Sequence, residues 1–68
     1  MKNNIRVERA VKRLTQQQLA ELIGVSRQTI NAIESEKYVP SAVLLLKIAA
    51  IFEKQVEDIF SLEESDWK

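Results

Sequence analysis

Apolar residues recur at three- and four-residue spacing along most of the chain, and polar capping residues interrupt them at regular points. This periodicity predicts helices rather than strands. A first helix is expected over about 4–13, after Asn3 or Asn4 as cap. Thr15 then caps a second helix over 16–23, with Gln18 three residues on to complete a capping box. Leu19, Ala20, Leu22 and Ile23 share one face of it. A third helix over about 27–35 turns Ile30 and Ile33 inward. In KYVPS, Pro40 biases Val39 away from helix, so a loop is expected there. Ser41 caps a fourth helix over about 42–53, and a short fifth lies near 56–60. The expected core collects Ile5, Leu14, Leu19, Ile23, Ile30, Ile33, Leu44, Ile48, Ile51, Val56, Ile59 and Phe60. The fold class is therefore all-α, a compact five-helix domain over residues 1–60. A short acidic tail follows at 61–68 (SLEESDWK), with no helical period. It is expected either to lack order or to fold Trp67 back on the domain.

The join between the second and third helices is the most specific local signal. Gly24 is the only glycine in the chain, and it falls where the backbone must reverse, a position suited to left-handed φ. Ala20, one turn earlier, is small enough to let the next helix cross closely. Ser26 supplies an N-cap oxygen to the third helix. Small residue, glycine and two inward aliphatics at these intervals make a helix-turn-helix. Arg27, Gln28 and Asn31 face outward in the first turns of the third helix. Arginine pairs with guanine edges, and glutamine or asparagine with adenine. In this motif that end of the helix enters the major groove. Alone, the three side chains also suit an ordinary solvated face; within the glycine-centred pattern, base readout is the stronger reading.

TQQQLAELIGVSRQTINAIESEKYVPS resembles the helix-turn-helix core of the Cro and phage-repressor (XRE-type) transcriptional regulators. The resemblance extends over about residues 5–60, with Arg9 upstream and IAAIFEKQVEDIF downstream. It implies double-stranded DNA as partner. Arg27, Gln28 and Asn31 are then expected at base edges, with Ala32 near a thymine methyl. Gln16, Ser26 and Lys37 are the expected phosphate contacts. It also implies an ion pair between Arg9 and Glu34. The chain departs from the family pattern in four places. Glu8 stands where an aliphatic is usual, while Val7 and Val11 replace polar residues, which implies a rotated or shifted first helix. Glu36 replaces a glycine after the third helix. Glu53-Lys54 replaces Gly-Val after the fourth, implying an extended or frayed end. Val43 and Ala50 replace surface polar residues.

That last departure bears on assembly. The fourth helix is apolar nearly all round, and Val43, Leu46 and Ala50 form a second stripe beyond the core set. A helix packed on one side needs only one, so a homodimer seam is expected, with deep wrapping of the helix as the alternative. Charge changes the picture modestly. The net charge is zero, yet residues 1–37 carry seven Lys or Arg against four Glu, and residues 38–68 carry three Lys against six acids. Phosphate attraction is thus expected to be local. The Arg6, Arg9 and Arg13 series suits either a phosphate ridge or solvated helix charges.

The absence of cysteine removes disulfides and thiolate metal sites and fits a reducing cytoplasm. The N-terminus lacks the apolar stretch of a secretory signal, and the apolar run AVLLL stops at Lys47, far short of a span. Without histidine or cysteine, and with Glu57-Asp58 and Glu63-Glu64 pointing apart as sequence neighbours, catalysis has no evident machinery. No cofactor, metal or small-molecule ligand is expected. The reading is a sequence-specific transcriptional regulator acting as a repressor on a palindromic operator. The alternative is a protein-interaction or antitoxin-type module that uses the helix-turn-helix structurally.

Overall fold

The computed structural model describes all 68 residues. Its helices are α1 (Ile5–Lys12), α2 (Gln16–Ile23), α3 (Arg27–Glu34), α4 (Ala42–Phe52) and α5 (Val56–Ile59). Two two-residue strands, β1 (Lys2–Asn3) and β2 (Phe60–Ser61), pair antiparallel with Lys2 opposite Ser61 and Asn3 opposite Phe60. A 3-10 turn follows at Glu64–Trp67. No helix is long and apolar enough to cross a membrane.

Local chemistry explains where the helices begin. Thr15 Oγ1 accepts the Gln18 N–H at 3.0 Å, and the Gln18 side chain accepts the Thr15 N–H at 2.9 Å. This is the reciprocal capping box expected at α2. Ser26 caps α3 through the Thr29 N–H at 3.1 Å, and Ser41 caps α4 through the Leu44 N–H at 3.3 Å. At α1 the cap role is divided: Asn4 holds the cap position without a side-chain cap bond, while Asn3 Oδ1 accepts the Ile5 N–H at 3.2 Å.

The ends of the first four helices share one device. A left-handed residue follows each of them: Arg13 (φ 56°), Gly24 (φ 77°), Glu36 (φ 64°) and Glu53 (φ 56°). After α3, the Lys37 N–H reaches Ala32 O at 2.9 Å and the Glu36 N–H reaches Ile33 O at 3.0 Å, a Schellman pair. α4 closes likewise, with Lys54 N–H on Ala49 O and Glu53 N–H on Ala50 O. The end of α4 is thus capped, not extended or frayed. A Cβ placed on Gly24 would meet nothing within 4 Å, so its glycine answers to backbone conformation and not to space.

Eleven apolar side chains form the core: Ile5, Leu19, Ala20, Ile23, Ile30, Ile33, Ile48, Ala49, Phe52, Ile59 and Phe60. Leu14, Leu44, Ile51 and Val56, expected inside, pack at its rim and are only partly buried. The inward line of α4 runs through Ile48, Ala49 and Phe52, so Leu44 and Ile51 flank it rather than lie on it.

Glu8 is also buried, with 6% of its surface exposed. Lys54 Nζ reaches its carboxylate at 2.9 Å, and beside it Lys12 meets Glu53 at 3.3 Å. Glu8 and Lys54, two of the departures from the pattern that the chain resembles, thus meet as one ion pair. A buried carboxylate of this kind needs its partner. No buried side-chain nitrogen or oxygen is left without a hydrogen bond.

The tail takes a form that its composition did not signal. Phe60–Ser61 pairs with the N-terminal strand, and the Met1 ammonium lies 3.2 Å from Glu63 Oε1 and 3.1 Å from Asp66 Oδ2. Hydrogen bonding to Asp66 holds the amine above its ordinary pKa. The Glu63 backbone N–H, followed by the ammonium, lowers that of Asp66. The segment is neither without structure nor packed through Trp67, whose side chain stays exposed.

Candidate nucleic-acid interface

α2 and α3 meet at the Gly24 turn around Ala20, which is fully buried. The close crossing that a small residue permits is therefore present. On the far side of α3 from Ile30 and Ile33, Arg27, Gln28 and Asn31 are all exposed, and Ala32 is half-buried beside them. Arg27 and Lys37 form no ion pair with any acid, whereas Arg9, Lys12 and Lys54 each do. The unpaired cations of this region thus sit at the two ends of α3. Lys37 follows the left-handed Glu36 directly. Ser26 spends its oxygen on the cap and on a 3.0 Å hydrogen bond with the Thr29 hydroxyl.

What holds α3 in place comes from distant parts of the chain. Arg9 grips Glu34 with two hydrogen bonds, Nε to Oε2 at 2.6 Å and Nη2 to Oε1 at 3.0 Å. This is the fork geometry that only arginine offers a carboxylate. Its third nitrogen donates to Leu14 O at 3.0 Å, closing the end of α1. Arg6 approaches the same carboxylate at 3.7 Å. The expected pair thus exists, and α1 is not displaced by Glu8. The arginine series resolves unequally: Arg9 is structural, Arg6 lies mostly in solvent beside the pair, and Arg13 turns the chain.

Gln16 is brought into the same cluster. Its Nε2 donates to Glu34 Oε1 at 3.1 Å and to Asn31 Oδ1 at 3.3 Å. Both side-chain N–H groups are then engaged within the protein. Any phosphate at this helix start would meet backbone N–H groups, which at a first turn have no intrahelical partner.

Two further supports were not signalled by sequence pattern. Asn3 Nδ2 donates to Ile33 O at 2.9 Å, and Lys47 Nζ donates to Ile23 O at 3.3 Å. The first adds a second bond to Ile33 O, which already accepts from the Glu36 N–H, and the second satisfies a carbonyl at the end of α2, both from distant segments.

Val43 (62% exposed), Leu46 (64%) and Ala50 lie on the open face of α4, so deep wrapping of that helix is not what the fold does. The largest recess, an open one of about 790 Å³, is lined by Asn4, Glu8, Ala50, Lys54, Asp58 and their neighbours. It includes none of the α3 side chains.

The helix-turn-helix family model matches residues 5–59. An uncharacterized HTH-type transcriptional regulator of Methanocaldococcus jannaschii is 52% identical over 66 residues, covering 97% of this chain and all of the relative. The regulator YgzD of Bacillus subtilis, similarly described, is 47% identical over 66 residues, with the same coverage of both chains. Among solved structures, the restriction-modification controller protein C.AhdI from Aeromonas hydrophila superposes with a TM-score of 0.75. It is 30% identical, and the match covers 82% of this chain and 85% of the other. The chain belongs to the XRE-type helix-turn-helix family, whose members are DNA-binding transcriptional regulators rather than enzymes.

Proposed function

We propose that the protein is a repressor that binds a palindromic operator in the cytoplasm as a homodimer, with α3 of each copy in the major groove. Arg27, Gln28 and Asn31 read base edges there, and Ala32 lies against a thymine methyl. Lys37 and the N-terminal turns at Gln16 and Ser26 hold phosphates and set the register. The carrying observation is the exposure of three side chains suited to hydrogen bonding with bases, on a helix anchored by the Arg9–Glu34 fork. A reading head must be rigid where it is held and open where it reads. Pairing of two copies follows from need: one eight-residue helix makes too few base contacts for tight specific binding, and two-fold symmetry doubles them. The exposed Val43, Leu46 and Ala50 stripe offers the seam.

The test is selection of bound sequences from a random duplex pool, by wild type and by the Arg27→Ala/Gln28→Ala double variant. Wild type is expected to enrich a palindrome with half-sites one helical turn apart, and the variant to lose it while keeping its helical circular dichroism. Indistinguishable pools would refute the reading.

A further inference from the structure

We propose that Arg6 grips a backbone phosphate on the wall of the groove that α3 enters, which makes α1 a further arm of the DNA contact. The proposal rests on the reading that α3 lies in the major groove with Asn31 at a base edge. It starts from an unequal pairing of charge. Lys12 meets Glu53 and Lys54 meets Glu8, one cation to one acid. Glu34 instead faces two cations, Arg9 at 2.6 Å and Arg6 at 3.7 Å.

Arg9 and Gln16 already satisfy that carboxylate. Arg9 Nε donates to Oε2, and Oε1 accepts from Arg9 Nη2 at 3.0 Å and from Gln16 Nε2 at 3.1 Å. Glu34 is 1% exposed and Arg9 16%, so this one guanidinium neutralises the buried acid. The surplus positive charge falls to Arg6, whose side chain is 77% exposed. An ion pair in that much water adds little stability. The approach of Nε to Glu34 is the only polar contact Arg6 makes through its side chain, which leaves Nη1 and Nη2 without a protein acceptor.

Direction and distance suit a phosphate. The oxygen that Arg6 faces, Oε1, is the one bonded to Gln16, and the same Gln16 amide bonds Asn31. Arg6 therefore opens on the Asn31 side of Glu34. Steps of 3.3, 3.1 and 3.7 Å lead from Asn31 through Gln16 and Glu34 to Arg6 Nε, so the two ends lie within about 10 Å. A major groove is about 12 Å wide and walled by phosphates. A cation that close to a base-edge contact, but set back from it on another helix, meets the wall and not the bases. The two free nitrogens of a guanidinium can fork a phosphate there, as a lysine cannot.

The experiment changes protein and DNA together, on the duplex that wild type enriches from the random pool. Wild type, Arg6→Ala and Arg6→Lys are titrated against that duplex, against a scrambled one, and against a set in which one phosphate at a time is a neutral methylphosphonate. Arg6→Ala should melt as wild type does, because Glu34 keeps its three hydrogen bonds. It should weaken binding to both duplexes about tenfold for each copy bound, the size of one charge-assisted hydrogen bond, and lower the salt slope by about 1. Arg6→Lys should keep the slope and lose part of the affinity, since it has the charge without the fork. One phosphate in each half-site should stand out. Its neutral form should weaken wild type about tenfold and Arg6→Ala hardly at all, the non-additivity of two groups in contact.

Equal penalties for wild type and Arg6→Ala at every phosphate would overturn the contact, as would an unchanged salt slope. A lower melting temperature with unchanged binding would overturn it too, and would make Arg6 a structural partner of Glu34. Enrichment of a sequence by wild type separates these failures from failure of the reading beneath them. If wild type enriches no sequence, α3 reads no bases and the Arg6 contact falls with it.

Discussion

At the scale of single residues, two lysines and one arginine divide by what they face. Arg27 is exposed and unpaired in the first turn of α3. Arg27→Ala should weaken specific binding by about 1–3 kcal/mol and relax selection at one base pair. Lys37→Ala should weaken binding to all sequences alike and lower the salt slope by about 1, because one fewer counterion is released. Titrations on specific and scrambled duplexes at several salt concentrations separate the two; a shift in sequence preference for Lys37→Ala would reverse its assignment. Lys54 serves stability instead. Removing it strands the buried Glu8 carboxylate, so Lys54→Ala should cost about 1–2 kcal/mol, less than for a fully buried pair because half of the lysine is in water. Glu8→Leu with Lys54→Val restores an apolar contact and should be neutral, or stabilising by about 1–2 kcal/mol. Denaturant melts of both single variants and the double test this, and a double variant weaker than either single one would contradict it.

At the scale of elements, the helix starts were legible because their signals are local. Thr15 with Gln18, Ser26 and Ser41 each cap a helix within three residues of themselves. The helix ends were legible only in part. Gly24 announces a left-handed turn, but Arg13, Glu36 and Glu53 adopt the same conformation with side chains that do not advertise it. The backbone bonds that close each helix end hold them there, at about 1 kcal/mol for each residue that has a Cβ. Glu36→Gly should therefore raise stability by about 0.5–1 kcal/mol, and Gly24→Ala should lower it by about 1 kcal/mol although nothing crowds the added methyl. Thermal melts would check both signs, and a stabilising Gly24→Ala would show that the turn relaxes freely. The supports of α3 were the least legible part of the site. Asn3 and Ile33 are 30 residues apart, Lys47 and Ile23 are 24, and Gln16 and Asn31 are 15. No periodic pattern links such positions. Arg9–Glu34, at 25 residues, was expected only through family resemblance.

For the molecule as a whole, the two chain ends and the open face of α4 are where sequence pattern says least. Two-residue strands leave no alternation to detect, so the β1–β2 pairing and the Met1 clasp emerge only in three dimensions. The clasp has a defined pH window. The amine is held above its ordinary 8.0, so its contribution is full below that value and is lost as pH rises through the folded value. Asp66 lies below its ordinary 3.8, so its contribution is present above that value and is lost as pH falls through the folded one. Fluorescence of Trp67, the only tryptophan, should report release of the tail above about pH 8 while helical content persists. Asp66→Asn should weaken that transition; a flat fluorescence profile from about pH 7 to 10 would remove the clasp as a pH-dependent contact. The α4 face raises the larger question, because Val43 and Leu46 expose more than half their surface next to Ala50. Contiguous apolar area of this kind marks an interaction surface more often than a solvated one. If it joins two copies, Leu46→Glu should split the dimer and lower operator affinity. Helical content should stay intact, because the Leu46 side chain lies outside the core cluster. In a two-fold pair the two α3 helices should stand about 34 Å apart, one turn of the duplex. Sedimentation of wild type and Leu46→Glu across micromolar concentrations decides the matter. A wild type that stays monomeric at high micromolar concentration would leave DNA itself to bring the two copies together.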